Sequence, residues 1–177
     1  ANAFRNAGAE FTMISCPADY FPNQGKVIKV QSAQEMLTET EKHHADADIV
    51  IFSAAVSDYR PKAPAKEKIK KNDDNLHLEL IKNPDIAATL GKKKKNQYHI
   101  GFALETNNES VNAKEKLKKK NFDLIVLNSL NDEGAGFRQD TNKVTFFDKD
   151  NNEQKFELKS KADVAQDIVE YVIKHLK

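Results

Sequence analysis

The chain has 177 residues, 39% of them hydrophobic and 31% charged, which suits one soluble domain with a sizeable core. Its formal net charge of +1 supplies no global field toward nucleic acid or a membrane surface, so any basic function is local. The single cysteine, Cys16, excludes an internal disulfide, and no apolar run or secretory signal marks a membrane or exported chain, so the sequence reads as cytoplasmic.

In chain order, Ala1 to Ala7 reads as a helix stopped at Gly8, and Glu10 to Cys16 as a strand in which Cys16 is a small buried filler rather than a nucleophile. Pro17 to Gly25 is a loop and Lys26 to Val30 a short strand. Ser32-Ala33-Gln34-Glu35 matches a capping box opening a helix to about Ala45. Ala47 to Val56 reads as a buried strand that breaks into Ser57-Asp58-Tyr59-Arg60-Pro61. The alternation over Leu76 to Ile81 predicts a strand with one covered face. Asn83-Pro84-Asp85-Ile86 starts a helix to about Leu90, and Lys92 to Lys95 follow as a solvated connector. Tyr98 to Leu104 is a strand with Gly101 placed for a close backbone approach, Glu109 to Asn121 a charged helix, and Asp123 to Asn128 a buried strand. From Lys143 a hairpin is expected: Val144 to Phe147, a turn through Asp150-Asn151-Asn152, then Lys155 to Leu158. Ser160 caps a last helix with apolar positions Val164, Ile168, Val169, Val172, Ile173 and Leu176.

This alternation predicts an α/β fold: a Rossmann-like, mostly parallel sheet with helices on both faces and a late antiparallel hairpin. Ligands of such sheets bind beyond the carboxyl ends of the strands, which points to Ala54 to Asp58, Gly101 to Thr106, Asn128 onward and the loop after Cys16. The chain opens inside a helix, without the strand and glycine-rich turn of a doubly wound unit, so residues 1–177 are read as one N-terminally incomplete domain.

Asp58, at a strand end, suits a magnesium ion or a base or ribose, and equally a turn cap. Lys68 and Lys70 share a face if extended and suit a phosphate, although a solvated basic loop reads the same way. Gly101-Phe102 could admit and stack a flat base, or place a core phenylalanine. Lys116 and Lys120 share one helical face, with Lys114, Lys118 and Lys119 nearby, as a wet helix surface would. His43 and His44 point about 100° apart on a helix and make no metal pair. No Gly-x-Ser-x-Gly or Walker loop occurs, and the basic runs lack the interleaved aromatics of a nucleic-acid site.

Ala54-Ala55-Val56-Ser57-Asp58-Tyr59-Arg60-Pro61, Lys68-Ile69-Lys70-Lys71, Lys82-Asn83-Pro84-Asp85-Ile86, Gly101-Phe102-Ala103-Leu104-Glu105-Thr106-Asn107, Lys116 to Asn121, Asn128, and Gly136-Phe137 with Asp140 and Asn142 follow one another in an order that resembles the phosphopantothenate–cysteine ligase family. In bacteria that ligase is commonly the C-terminal half of a bifunctional coenzyme A biosynthesis protein. The resemblance covers essentially the whole chain, and its Lys-Ile-Lys-Lys form is similar to the bacterial type, which uses CTP. It implies activation of 4′-phosphopantothenate by CTP and magnesium as an acyl-cytidylate, then displacement of CMP by the amine of cysteine. It places Phe52, Ser53, Ala54, Asp58, Lys68, Pro84, Asp85, Ile86, Ala87, Phe102, Lys116 and Lys120 around CTP, with Lys68 on a closing flap that supports activation. Metal ligands are not assigned. The family's Asn-x-Ser-Ser-Gly-Lys-Met-Gly-like stretch, which holds the acyl-cytidylate, would precede Ala1. The family is dimeric, so a homodimer is expected, with the Val144 to Leu158 hairpin and its Phe146-Phe147 pair in the contact. A flavin-dependent decarboxylase, fused or separate, is the expected partner. A dinucleotide-dependent reductase or epimerase, which lacks its Tyr-x-x-x-Lys pair here, and a non-catalytic nucleotide-binding domain are the competing readings.

Overall fold

The computed structural model describes residues 1–18, 20–65, 67–70, 76–105, 107–129 and 140–176. Lys71, Thr106, Gly136 and Phe137, quoted above, lie outside them. Helix α1 (Asn2–Asn6) ends before Gly8, whose φ of 92° reverses the chain where a side chain would be strained. Strands β1 (Thr12–Ser15) and β2 (Lys26–Lys29) pair in parallel. Helix α2 (Ala33–His44) is capped by Ser32, whose Oγ accepts the Glu35 N–H at 3.1 Å, while Glu35 accepts the Gln31 N–H at 2.8 Å. The expected capping box is therefore present with its return bond one residue earlier.

Next come β3 (Ile49–Phe52), β4 (Tyr59–Pro61), β5 (Leu80–Lys82), α3 (Ile86–Lys93), β6 (Tyr98–Glu105), α4 (Glu109–Lys119) and β7 (Leu124–Ser129). The chain closes with β8 (Thr141–Asn142), β9 (Val144–Asp148), β10 (Glu153–Lys155), β11 (Lys159–Ser160) and α5 (Lys161–His175). The main sheet has five strands in the order β10-β9-β7-β6-β3. Strands β3, β6 and β7 are mutually parallel, and β9 and β10 add the expected antiparallel hairpin.

Side-chain alternation divides the core. Tyr98, Ile100, Leu124, Val126, Val144 and Phe146 face α5, meeting Val164, Ile168, Tyr171 and Val172, with Phe4 of α1 at the margin. Ala103, Ile125, Leu127 and Phe147 face the other way, onto Ala113 and Leu117 of α4. A third cluster joins Met36 and Leu37 of α2 to Ile86 and Leu90 of α3 over Val30, Ile14 and Ile28. Helices thus cover both faces, and each fully buried aliphatic side chain contributes about 1.5–3 kcal/mol by leaving water.

Several expectations need correction. The strand expected over Leu76 to Ile81 is confined to Leu80–Lys82, and Leu76, Leu78 and Leu80 are exposed, so the alternating face is uncovered. Phe146 and Phe147 are each 1% exposed inside the protomer and offer nothing to a dimer contact. Both are buried because β9 is a central strand, sending successive side chains into opposite covered layers. Cys16 is exposed, because β1 stops one residue short of it. Ile173 and Leu176 lie off the buried stripe of α5 and are exposed. Nor are Lys92 to Lys95 merely a solvated connector. Lys92 and Lys93 finish α3, while Lys94 is mostly buried and binds Asp123 at 2.5 Å.

Asp123 also accepts from the Lys149 ammonium at 2.9 Å and the His99 N–H at 2.7 Å. Behind it, His99 is fully buried with its Nε2 2.9 Å from that of His44, and its Nδ1 has no partner among the described residues. Burial, then Lys94 and His44, push the His99 pKa down to about 4 from 6.5. The unfolded chain therefore binds this proton at a higher pH than the folded one. The resulting stability is full above pH 6.5 and is lost as pH falls toward 4, by up to about 3 kcal/mol. Urea midpoints measured from pH 7.5 to 4.5 should fall through this window; a flat profile would contradict the buried neutral pair.

Candidate functional site

The carboxyl edge of the main sheet is stepped. Strand β3 ends with Phe52 opposite Gly101, whereas β6 continues beside β7 until Glu105 lies opposite Ser129. The step exposes Ser53, Ala54 and Asp58 as the chain leaves β3, and leaves Phe102 39% exposed where no β3 neighbour covers it. The Phe52 ring turns inward, 5.3 Å from His99 and 5.5 Å from Phe122, and so forms the floor of this edge rather than a free stacking surface. A Cβ on Gly101 would lie 2.0 Å from the Phe122 ring. The close approach expected at Gly101 is thus made by a core side chain and not by a ligand's base. Sequence could show that a glycine was needed there but not what approached it.

Helix α3 supplies the second wall. Asp85 caps it, accepting the Ala88 N–H at 3.0 Å, and forms an ion pair with Lys120 at 3.2 Å. Burial works against its charge, but the Ala88 N–H and the lysines at 120 and 119 outweigh it and hold the carboxyl below its ordinary range. Pro84 is half-buried, while Ile86 and Ala87 point into the core, so what they offer a ligand is backbone at a helix N-terminus. Lys116 lies on α4, whereas Lys120 is the residue that ends it rather than a further position on the same helical face, and neither is a bare solvated charge. Lys116 holds Glu105, which also accepts from Asn112 at 3.1 Å, and Lys120 holds Asp85. Sequence spacing does not reveal these carboxylate partners, because Glu105 comes from β6 and Asp85 from the α3 cap rather than from the same helix.

Strands β4 and β5 form a separate antiparallel ribbon on this edge, tied to the site by backbone: the Asn83 N–H donates to the Asp58 carbonyl at 2.8 Å. Lys68 and Lys70 lie between the two strands, exposed, and form no hydrogen bond or ion pair with the other candidates. The structure places Phe52, Asp58 and Phe102 at this edge, joins Lys116 to Glu105 at the end of β6 and the Lys120 side chain to the α3 cap Asp85, and leaves Lys68 on an outlying segment. Asn128, at the same edge of β7, has a buried Oδ1 with no partner among the described residues. Among the described residues no group of three or more metal-binding side chains converges, and no helix is long and apolar enough to cross a membrane.

A family model described as the DNA/pantothenate metabolism flavoprotein C-terminal domain matches residues 1–176. The chain belongs to this family. A curated relative from an unknown prokaryotic organism, named cysteine/cysteine sulfinic acid decarboxylase, is 47% identical over 176 residues, covering 98% of this chain and 49% of its own length. The coenzyme A biosynthesis bifunctional protein CoaBC of Bacillus subtilis (strain 168) is 41% identical over 174 residues, covering 97% of this chain and 43% of the relative. The chain thus spans about half the length of the curated relatives it matches. Among solved structures, the C-terminal domain of CoaBC superposes with a TM-score of 0.79 at 35% identity, over 97% of this chain and 77% of that one. The resemblance to the C-terminal domain of the bacterial bifunctional coenzyme A biosynthesis protein, and the α/β architecture expected from the alternation of strands and helices, are both borne out.

Proposed function

We propose that residues 1–177 act as one phosphopantothenate–cysteine ligase domain that uses CTP. The observation that supports this reading is the pairing of motif residues distant in sequence, Asn83 with Asp58, Lys116 with Glu105 and Lys120 with Asp85, in a chain of this family. The substrate carboxylate attacks the α-phosphorus of CTP, forming a P–O bond and expelling pyrophosphate. The amine of cysteine then attacks the acyl carbon, a C–N bond forms, CMP leaves, and the amine proton passes to solvent.

An anionic carboxylate attacking a polyphosphate is opposed by charge, so the site must neutralise both. Lys116 and Lys120 are placed to do so by exchanging Glu105 and Asp85 for phosphate oxygens. Lys68 does so on closure of its segment, which also excludes water from the acyl-cytidylate. Exposed Asp58 would hold a magnesium ion brought by the triphosphate, which needs one or two carboxylates rather than a dedicated cage and would neutralise phosphate charge. Cysteine is a substrate, so exposed Cys16 has no part in the chemistry. A flavin-dependent decarboxylase, fused or separate, would consume the product, and the reaction belongs in the cytoplasm with its soluble substrates. We place the homodimer contact on the apolar residues of the ribbon segment, Tyr59, Leu76, Leu78 and Leu80, all exposed in the protomer. A monomer by sedimentation at micromolar concentration would remove it.

Pyrophosphate release by the full-length gene product, with phosphopantothenate, cysteine and magnesium, should depend on CTP and be at least about tenfold slower with ATP. Equal rates with both would refute CTP selectivity; release with neither would refute the ligase reading.

A further inference from the structure

The ribbon and the start of α3 are joined by a side-chain clamp between Arg60 and Asn83, two residues of the ordered motifs to which the resemblance gives no role. The Arg60 Nη1 donates both to the Lys82 carbonyl at 2.9 Å and to the Asn83 Oδ1 at 3.0 Å. The Asn83 Nδ2 in turn donates to the Ser57 carbonyl at 2.8 Å, and its backbone N–H to the Asp58 carbonyl at 2.8 Å. Arginine can only donate and a carbonyl can only accept, so this orientation of the Asn83 amide is the one that satisfies both neighbours. The clamp spans the turn that presents Asp58 and the residue that immediately precedes the Pro84-Asp85-Ile86-Ala87 entry to α3. None of Ser57, Asp58, Arg60 or Asn83 belongs to the three core clusters, so the clamp orders the turn without carrying the core.

We infer that Arg60 and Asn83 are positioning residues that hold Asp58 and the start of α3 in one register for the nucleotide. This rests on the ligase reading above. Neither side chain needs to touch substrate: together they fix the spacing between two walls, and small displacements of such walls cost binding and rate steeply. The substitutions separate the parts. Asn83→Asp keeps an acceptor for Arg60 but loses the bond to Ser57 and sets a carboxylate against its carbonyl. Arg60→Met removes both guanidinium bonds, while Arg60→Lys keeps a cationic donor group of shorter reach without the planar fork.

The test combines steady-state kinetics with amide hydrogen exchange on the full-length protein. Asn83→Asp and Arg60→Met should each raise the CTP KM about tenfold, with kcat changed less and the thermal midpoint close to wild type. Arg60→Lys should recover part of the loss. Exchange at the Asn83 and Lys62 amides should quicken in Arg60→Met while core amides stay protected. Wild-type KM values in both clamp variants would overturn the positioning role, as would a loss that merely follows a fall in thermal midpoint. If wild-type protein turned over no nucleotide, the ligase reading would fall. The exchange data would still decide the clamp, and unchanged exchange in Arg60→Met would overturn it.

Discussion

Replacing Lys68 with glutamine should lower CTP-dependent pyrophosphate release by about 10²–10³-fold, with the nucleotide KM moving less than kcat. Glutamine keeps much of the reach and polarity of lysine but removes the charge. The proposed role of Lys68 is to meet negative charge as it builds between carboxylate and α-phosphate, a role felt most in the transition state. Lys68 is exposed on the segment between β4 and β5 and has no ion pair among the described residues, so its loss should leave the fold intact. Lys116 and Lys120 differ in this respect: each already neutralises a carboxylate, so their substitution would confuse structure with binding. Kinetics and a melting curve on the same preparation check the prediction. Activity within twofold of wild type would remove Lys68 from the mechanism, and a fall in melting temperature would assign it to structure.

The second large effect is structural and reaches the site. Gly91→Ala should cost about 3 kcal/mol, or roughly 6–12 °C in melting temperature for a domain of this size. A Cβ at Gly91 would lie 2.2 Å from the Lys120 carbonyl oxygen and 2.9 Å from its carbon. Both are backbone atoms, so no side-chain rotation relieves the clash and α3 must part from the end of α4. That junction is otherwise closed by Asn121, whose φ of 54° lets its Nδ2 reach the Gly91 carbonyl at 3.0 Å, while Lys94 donates to the Asn121 carbonyl at 3.0 Å. Lys120 departs from this junction to reach Asp85, so the variant should also weaken CTP binding, by about fivefold. Differential scanning calorimetry and a CTP titration would show both effects. A melting temperature within about 2 °C of wild type would mean that the helices are not packed this closely.

The parts of the fold that were legible in the sequence are those where a core imposes a period. Tyr98, Ile100, Leu124, Val126, Val164, Ile168 and Val172 recur at strand or helix spacing because one face of each element must be dry. Where no core lies behind the pattern, the same rule misleads. Leu76, Leu78 and Leu80 alternate like a half-buried strand yet are exposed, because alternation records which residues share a face and not whether anything covers it. Adjacent Phe146 and Phe147 looked like a surface pair for the opposite reason, since a strand covered on both sides has no outward face. At the site, the residue types were legible from ordered motifs, but their partners were not. Glu105 for Lys116, Asp85 for Lys120, Phe122 for Gly101 and Arg60 for Asn83 are all pairings made by topology across at least 11 positions.

In the proposed reaction a carboxylate oxygen becomes bonded to the α-phosphorus of CTP. The most direct measurement is the reaction of phosphopantothenate carrying ¹⁸O in its carboxylate with CTP and cysteine, followed by mass spectrometry of every product. An acyl-cytidylate predicts CMP and pyrophosphate in equal amounts with phosphopantothenoylcysteine, and one ¹⁸O in each CMP. Label in inorganic phosphate alongside CDP, or condensation without label in CMP, would contradict it.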